Sequence, residues 1–255
     1  MTENRPLTAA LILIGNELLS GRTRDANLAY LGKGLEAVGI RIREVRVVPD
    51  EEDAIVEAVN ALRGRHDHVF TTGGIGPTHD DITAASVAQA FGVPLHRHPE
   101  ALRRLQRQYA ADDLNAARLR MADVPEGAAL IDNPVSQAPG FRMGNVHVLA
   151  GVPVIMRAMF DGLAPSLAGG APVRSRTVAG FTTEGAIAAP LGAVQADHPA
   201  VEIGSYPFVR DGRFGVSLVV RGTDTAAVDD AVAAVRAVLS AAGAEPMEES
   251  DHAVA

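Results

Sequence analysis

Over residues 9–163, short apolar runs alternate with segments of helical periodicity, and this restricts the possible folds more than any other feature of the chain. Ala9 to Ile14 is near-continuously apolar, as strands covered on both faces are. A polar loop with two glycines follows, from Gly15 to Arg22. Asp25 stands where an N-cap would, and Leu28, Leu31, Leu35 and Val38 recur at helical spacing up to Gly39. Ile40 to Val48 reads as a second strand and Glu51 to Leu62 as a helix. Asp67 to Phe70 reads as a third strand and Thr83 to Phe91 as a helix ended by Gly92-Val93-Pro94. Pro99 to Ala110 and Asn115 to Met121 read as helical. Asp123 to Asn145 reads as loop, Val146 to Leu149 as strand and Val154 to Leu163 as helix. The pattern predicts an α/β fold, a three-layer, mostly parallel sheet with helices on both faces. In such folds ligands bind outside the carboxyl ends of the strands.

A break in composition at Ala168-Gly169-Gly170-Ala171-Pro172 predicts two domains, 1–170 and 171–255. Beyond it come a strand (Val173 to Ala179), a helix (Thr183 to Val194) and a strand (Val201 to Tyr206). An Asp211-Gly212 hairpin signal, a strand (Val216 to Val220) and a helix (Asp224 to Ala242) complete a small α+β domain. The last dozen residues read as a frayed tail.

The sequence DHVFTTGGIGPTHDDIT, Asp67 to Thr83, carries the densest chemistry. Three glycines in four positions (Gly73, Gly74, Gly76) let backbone turn sharply and approach a ligand. Thr78 to Thr83 reads as a helix start, with Thr78 or Asp80 as N-cap. Strand, glycine loop and helix N-terminus together offer free N–H groups to phosphate. The pattern is neither Walker type nor G-x-G-x-x-G. Asp80 and Asp81 at the rim suit a divalent cation bridging to phosphate oxygens, although capping explains aspartates there equally simply.

Composition narrows the partners. Formal net charge is −8, a poor match to a general nucleic-acid binder. No cysteine is present, which excludes disulfides, zinc–thiolate sites and cysteine nucleophiles. The apolar run at Ala9 is too short to span a membrane, no cleavage signal precedes it, and the expected location is the cytoplasm.

Five blocks, in order, resemble the MogA/MoaB molybdopterin-binding family and, more closely, the N-terminal part of the competence/damage-inducible CinA family. They are IGNELLSGRTRDAN (Ile14 to Asn27), VPD (Val48 to Asp50), TTGGIGPTHDDIT (Thr71 to Thr83), NPVSQAPGF (Asn133 to Phe141) and LAGVP (Leu149 to Pro153). HPAVEIGSYPF (His198 to Phe208) and LVVRGTD (Leu218 to Asp224) extend the likeness into the second domain. The chain departs from the family at Ala150, where most members have proline, at Ile155, where they have glutamate, and at Ser136-Gln137, where many have Gly-Thr. Longer members carry an amidase domain; this chain ends before it, so that activity is expected to be absent.

The resemblance implies a site for a pterin or adenine nucleotide, in a homo-oligomer (dimer or trimer). Asp50 and Asp81 match aspartates that matter for activity in molybdopterin-adenylylating relatives. They are the expected catalytic residues and holders of a divalent metal, magnesium or cobalt. Thr72, Gly73, Gly74, Gly76, Thr78, Glu17, Asn133, Ser136, Gly151 and Pro153 are the expected ligand contacts. Asp25, Asn27, His79, Arg22 and Arg24 are secondary. Three functions stay open: a molybdopterin-binding protein, a metal-dependent pyrophosphatase acting on ADP-ribose or FAD, and a non-catalytic binding module.

Overall fold

The computed structural model describes residues 7–167 and 169–249, in two compact units divided at Gly170/Ala171. The stretch before Leu7, Ala168 of the expected linker and the final residues of the expected frayed tail lie outside the described residues.

The larger unit runs β1 (Leu7–Ile14), α1 (Asn16–Leu19), α2 (Asn27–Ala37), β2 (Ile40–Val48), α3 (Glu52–Arg63), β3 (His68–Thr72) and α4 (Thr83–Phe91). It continues with β4 (Leu95–Arg97), α5 (Pro99–Gln108), α6 (Ala116–Leu119), β5 (Asp123–Pro125), β6 (Ala129–Ile131), β7 (Gly140–Met143), β8 (Val146–Leu149) and α7 (Pro153–Leu163). One six-stranded sheet has the order β2-β1-β3-β8-β7-β6. β2, β1, β3 and β8 are mutually parallel; β7 and β6 add antiparallel at one edge. β4 and β5 form a separate antiparallel pair.

Strand β1 shows why its run is apolar without alternation. Ala10, Ile12 and Ile14 pack with Ile55, Val59 and Leu62 of α3 and Val87 of α4 on one face. Ala9, Leu11 and Leu13 pack with Leu31 and Leu35 of α2 and Met156, Met159 and Phe160 of α7 on the other. Both faces are covered, so both registers must be apolar. Each fully buried Leu or Ile contributes about 1.5–3 kcal/mol relative to exposure.

Four expectations are corrected. Thr78 to Ile82 is turn and loop, and α4 begins only at Thr83. The loop from Gly15 contains the one-turn helix α1. Asp123 to Asn145 holds three short strands, so the sheet is mixed at its edge. Met247–Glu249, read as tail, is a strand.

The smaller unit runs β9 (Arg174–Gly180), α8 (Glu184–Asp197), β10 (Glu202–Arg210), β11 (Arg213–Gly222), α9 (Thr225–Ala241) and β12 (Met247–Glu249). Its antiparallel sheet, β10-β11-β9-β12, buries Val178, Val216, Leu218 and Val220 against Ile187 of α8 and Val228, Val232, Val235 and Leu239 of α9. Asp211 and Gly212 both have positive φ (52° and 72°), the type I′ geometry that matches the twist of a two-residue hairpin.

Candidate functional site

The chain leaves β1 toward β2 and leaves β3 toward β8, in opposite directions along the sheet. The carboxyl ends of β1 and β3 therefore flank a topological switch point, where no crossover covers the strand ends. A cleft of about 580 Å³ opens there. That volume lies in the range of small-molecule sites.

Its floor is the loop after β3. Gly73 (φ 107°) and Gly74 (φ 67°) have backbone conformations open mainly to glycine. The protein itself enforces both: a Cβ on Gly73 would lie 2.3 Å from the Ile14 carbonyl oxygen, and one on Gly74 would lie 2.1 Å from Thr83 Oγ1. Thr83 closes the loop by donating its hydroxyl to the Gly73 carbonyl (2.9 Å) and its amide to the Gly74 carbonyl (3.0 Å). The Gly73 amide is used on Leu149 O (3.2 Å). The amides of Gly74, Ile75 and Gly76 donate to no group among the described residues. Successive free N–H groups on a glycine bend form an anion-binding concavity.

Two aspartates stand at the cleft, on separate loops. Asp50, after β2, accepts the Asn16 amide on Oδ2 (2.8 Å). Asp81 accepts the Thr78 amide (2.7 Å) and hydroxyl (2.5 Å), also on Oδ2. The second oxygen of each carboxylate takes no hydrogen bond from the described residues. Among the described residues no group of three or more His, Cys, Asp or Glu is placed to hold a metal. The acidic donors at the cleft are thus two single carboxylates on separate loops, each with one oxygen left unbonded.

Of the expected ligand contacts, Glu17, Gly73, Gly74, Gly76, Asn133, Ser136, Gly151 and Pro153 line this cleft with Asp50 and Asp81. Thr72 and Thr78 do not. Thr72 is buried at the end of β3 and faces a smaller side cavity; the Thr78 hydroxyl is turned onto Asp81. His79 is fully exposed, and Asp25, one residue before the N-cap Ala26, accepts the Leu28 amide (2.8 Å) in the first turn of α2. Of the family departures, Ala150 and Ile155 line the cleft and add apolar surface to its wall.

Three residues matter to this architecture in ways the motifs do not foretell, and two of them, Thr83 and Arg120, are outside the expected set. Asn133, expected only as a ligand contact, is a loop hub: Oδ1 accepts the Val135 and Ser136 amides, and Nδ2 donates to Ser136 Oγ and Ala138 O. Thr83 had no sequence signal beyond its place after an acidic pair. Arg120 reaches across to donate to the Asp81 carbonyl (3.3 Å); it comes from a helical segment with no motif of its own.

Residues 10–169 match the family described as "Probable molybdopterin binding domain", and residues 172–248 match "FAD synthase, middle domain". A protein of Pyrobaculum calidifontis is 38% identical over 78% of this chain and 80% of its own length. A CinA-like protein of Syntrophus aciditrophicus is 37% identical over 77% of this chain but only 50% of its own length. An Aeropyrum pernix protein, 44% identical, is matched over 59% of its length, so the chain spans little more than half of several relatives. The crystal structure of CinA from Thermoplasma acidophilum superposes with a TM-score of 0.60 at 36% identity, covering 64% of this chain and 99% of that one. A family model that spans most of the larger unit, on a fold with these strand-end loops, means that the chain belongs to the MogA/MoaB-like molybdopterin-binding domain family and is similar to its CinA-like members.

Proposed function

We propose that the strand-end cleft binds the diphosphate or phosphate of a pterin or adenine nucleotide, with the glycine loop as its cradle. The observation that carries this reading is the run of three unpaired amides, Gly74 to Gly76, on the cleft floor. Buried or half-buried N–H groups are rarely left without a partner, and an anion supplies one. Asp50 and Asp81 would share a divalent cation with the bound phosphate, which offsets the repulsion between carboxylate and anion. When bound, the cation supplies charge stabilisation at the phosphate; the chain's own groups position the ligand and exclude water. The test is a thermal-shift series with molybdopterin, ADP-ribose and FAD, with and without magnesium. A magnesium-dependent rise in Tm with at least one of them is expected. No shift with any of them removes the reading.

A second reading, hydrolysis of the pyrophosphate, is favoured by the two free carboxylate oxygens and by the match of the smaller unit to an FAD synthase domain. On it, ADP-ribose or FAD with magnesium releases AMP. Asp81→Asn keeps an acceptor for the Thr78 amide, so Tm should hold within a few degrees. Hydrolysis should fall about a hundredfold or more, as loss of a cation-holding charge does. Unchanged turnover in Asp81→Asn would take this residue out of the chemistry.

A further inference from the structure

Beside the main cleft lies a cavity of about 70 Å³, and the two share Ile14, Glu17, Thr23, Gly151 and Pro153. Asn27, the first residue of α2, lines this side cavity and is only 4% exposed. Its amide orientation is fixed by chemistry. Nδ2 donates to the Gly151 carbonyl at 2.8 Å, and a carbonyl accepts only, so Oδ1 must face the other way. That oxygen is buried and has no hydrogen-bond partner. An unpaired buried acceptor carries a desolvation cost that a donor from outside would relieve. The other polar groups around the cavity include the Glu17 and Asp25 carboxylates and the Thr72 hydroxyl, all able to accept. Arg24 is the one cation among its lining residues. The space is large enough for an amino group or a pair of waters, and too small for a heterocycle or a phosphate.

We propose that this side cavity is a subsite for an exocyclic amino group on the ligand's heterocycle, which donates one N–H to Asn27 Oδ1 and turns the second toward Glu17. The inference rests on the reading of the main cleft as a nucleotide site. It adds what that reading lacks: a way to choose the base, set by an acceptor that the fold has already desolvated. The amine on adenine and the 2-amino group on a pterin share this chemistry.

The experiment pairs each ligand with its deamino counterpart. ADP-ribose is compared with the analogue in which purine replaces adenine, and molybdopterin with the analogue lacking its 2-amino group, all with magnesium, by calorimetric titration of the full chain. The expected result is that one pair separates by about tenfold or more in Kd, because the analogue leaves Asn27 Oδ1 unpaired. Which pair separates identifies the heterocycle. In Asn27→Ala the same pair should bind with nearly equal Kd. Equal Kd within both pairs for the parent chain overturns the subsite while leaving the cleft reading intact, since solvent then serves the acceptor. Binding by no member of either pair overturns both. The parent-chain comparison decides even if Asn27→Ala fails to fold.

Discussion

Gly74 shows how closely the site depends on single backbone positions. Its φ of 67° costs any residue with a Cβ about 1–2 kcal/mol, and the Cβ would press on Thr83 Oγ1, the group that closes the loop. Gly74→Ala is therefore expected to lower stability by about 2–3 kcal/mol, read as a shift in urea midpoint at constant m-value. A change below half a kilocalorie would mean that the loop relaxes freely and is not the rigid floor described above. A second residue-scale effect sits in the sheet. His147 is buried between strands, stacked on Phe70 at 4.7 Å and bonded through Nε2 to His68 Nδ1 at 3.1 Å. Burial, with smaller contributions from His68 and Arg142, holds its pKa down at about 3. In the unfolded chain the same ring takes a proton near its ordinary value of 6.5. Its contribution to stability is whole above 6.5 and is lost as pH falls toward 3, at about 1.4 kcal/mol per pH unit in that window. His147→Gln should flatten the fall in stability between pH 6 and pH 4 by roughly that slope, measured by urea unfolding at a series of pH values. An identical slope in the variant would mean that His147 protonates in the folded state as readily as in the unfolded one.

At the scale of elements, the sequence was most legible where contrast was strongest. β2 and β8 match their expected bounds, and α4 was placed from Thr83 to Phe91, because apolar runs there meet glycine or polar breaks. The glycine loop, Asp50, Asp81 and Glu17 were all brought to one strand-end cleft, which follows from topology once the parallel order is known. What escaped has physical causes. β5, β6 and β7 have three or four residues each, too few to show a period, and antiparallel pairing at a sheet edge is set by neighbours distant in sequence. The acidic run before α4 looked like a cap, yet Asp81 folds back on Thr78 and stabilises the turn. Both uses place an aspartate ahead of a helix, so composition cannot separate them. The Asn133 hub was likewise invisible, since its partners are mainly backbone groups of its own loop. It yields a test of the loop as a built wall of the cleft. Asn133→Ala removes four hydrogen bonds at a residue 4% exposed and should cost about 2–3 kcal/mol. Ser136→Ala removes only one of those contacts at a half-buried position and should cost under about 1 kcal/mol. Thermal melts of the two variants compare them directly; equal losses would remove Asn133 as the organising residue.

The molecule as a whole consists of two units with separate cores. The two main cores of the larger unit lie on the two faces of its sheet, with a small cluster around α5 besides, and that of the smaller unit lies between one sheet and helices α8 and α9. Every residue that lines the cleft and its side cavity belongs to the larger unit. Among the described residues no helix is long and apolar enough to cross a membrane. A chain of fewer than a hundred residues buries a smaller share of its surface than one of about 170, and is correspondingly less stable. The smaller unit should therefore unfold first on heating, and calorimetry should resolve two transitions. Ligand binds folded protein and stabilises only what it contacts, by RT ln(1 + [L]/Kd). At a ligand concentration a hundred times Kd, the transition of the larger unit should gain about 2.7 kcal/mol while that of the smaller unit stays in place. Residues 1–170 alone should show the same ligand-induced shift. If both transitions moved together, or if the shorter chain lost its response, the smaller unit would have to take part in binding, and the cleft as described would be only part of the site.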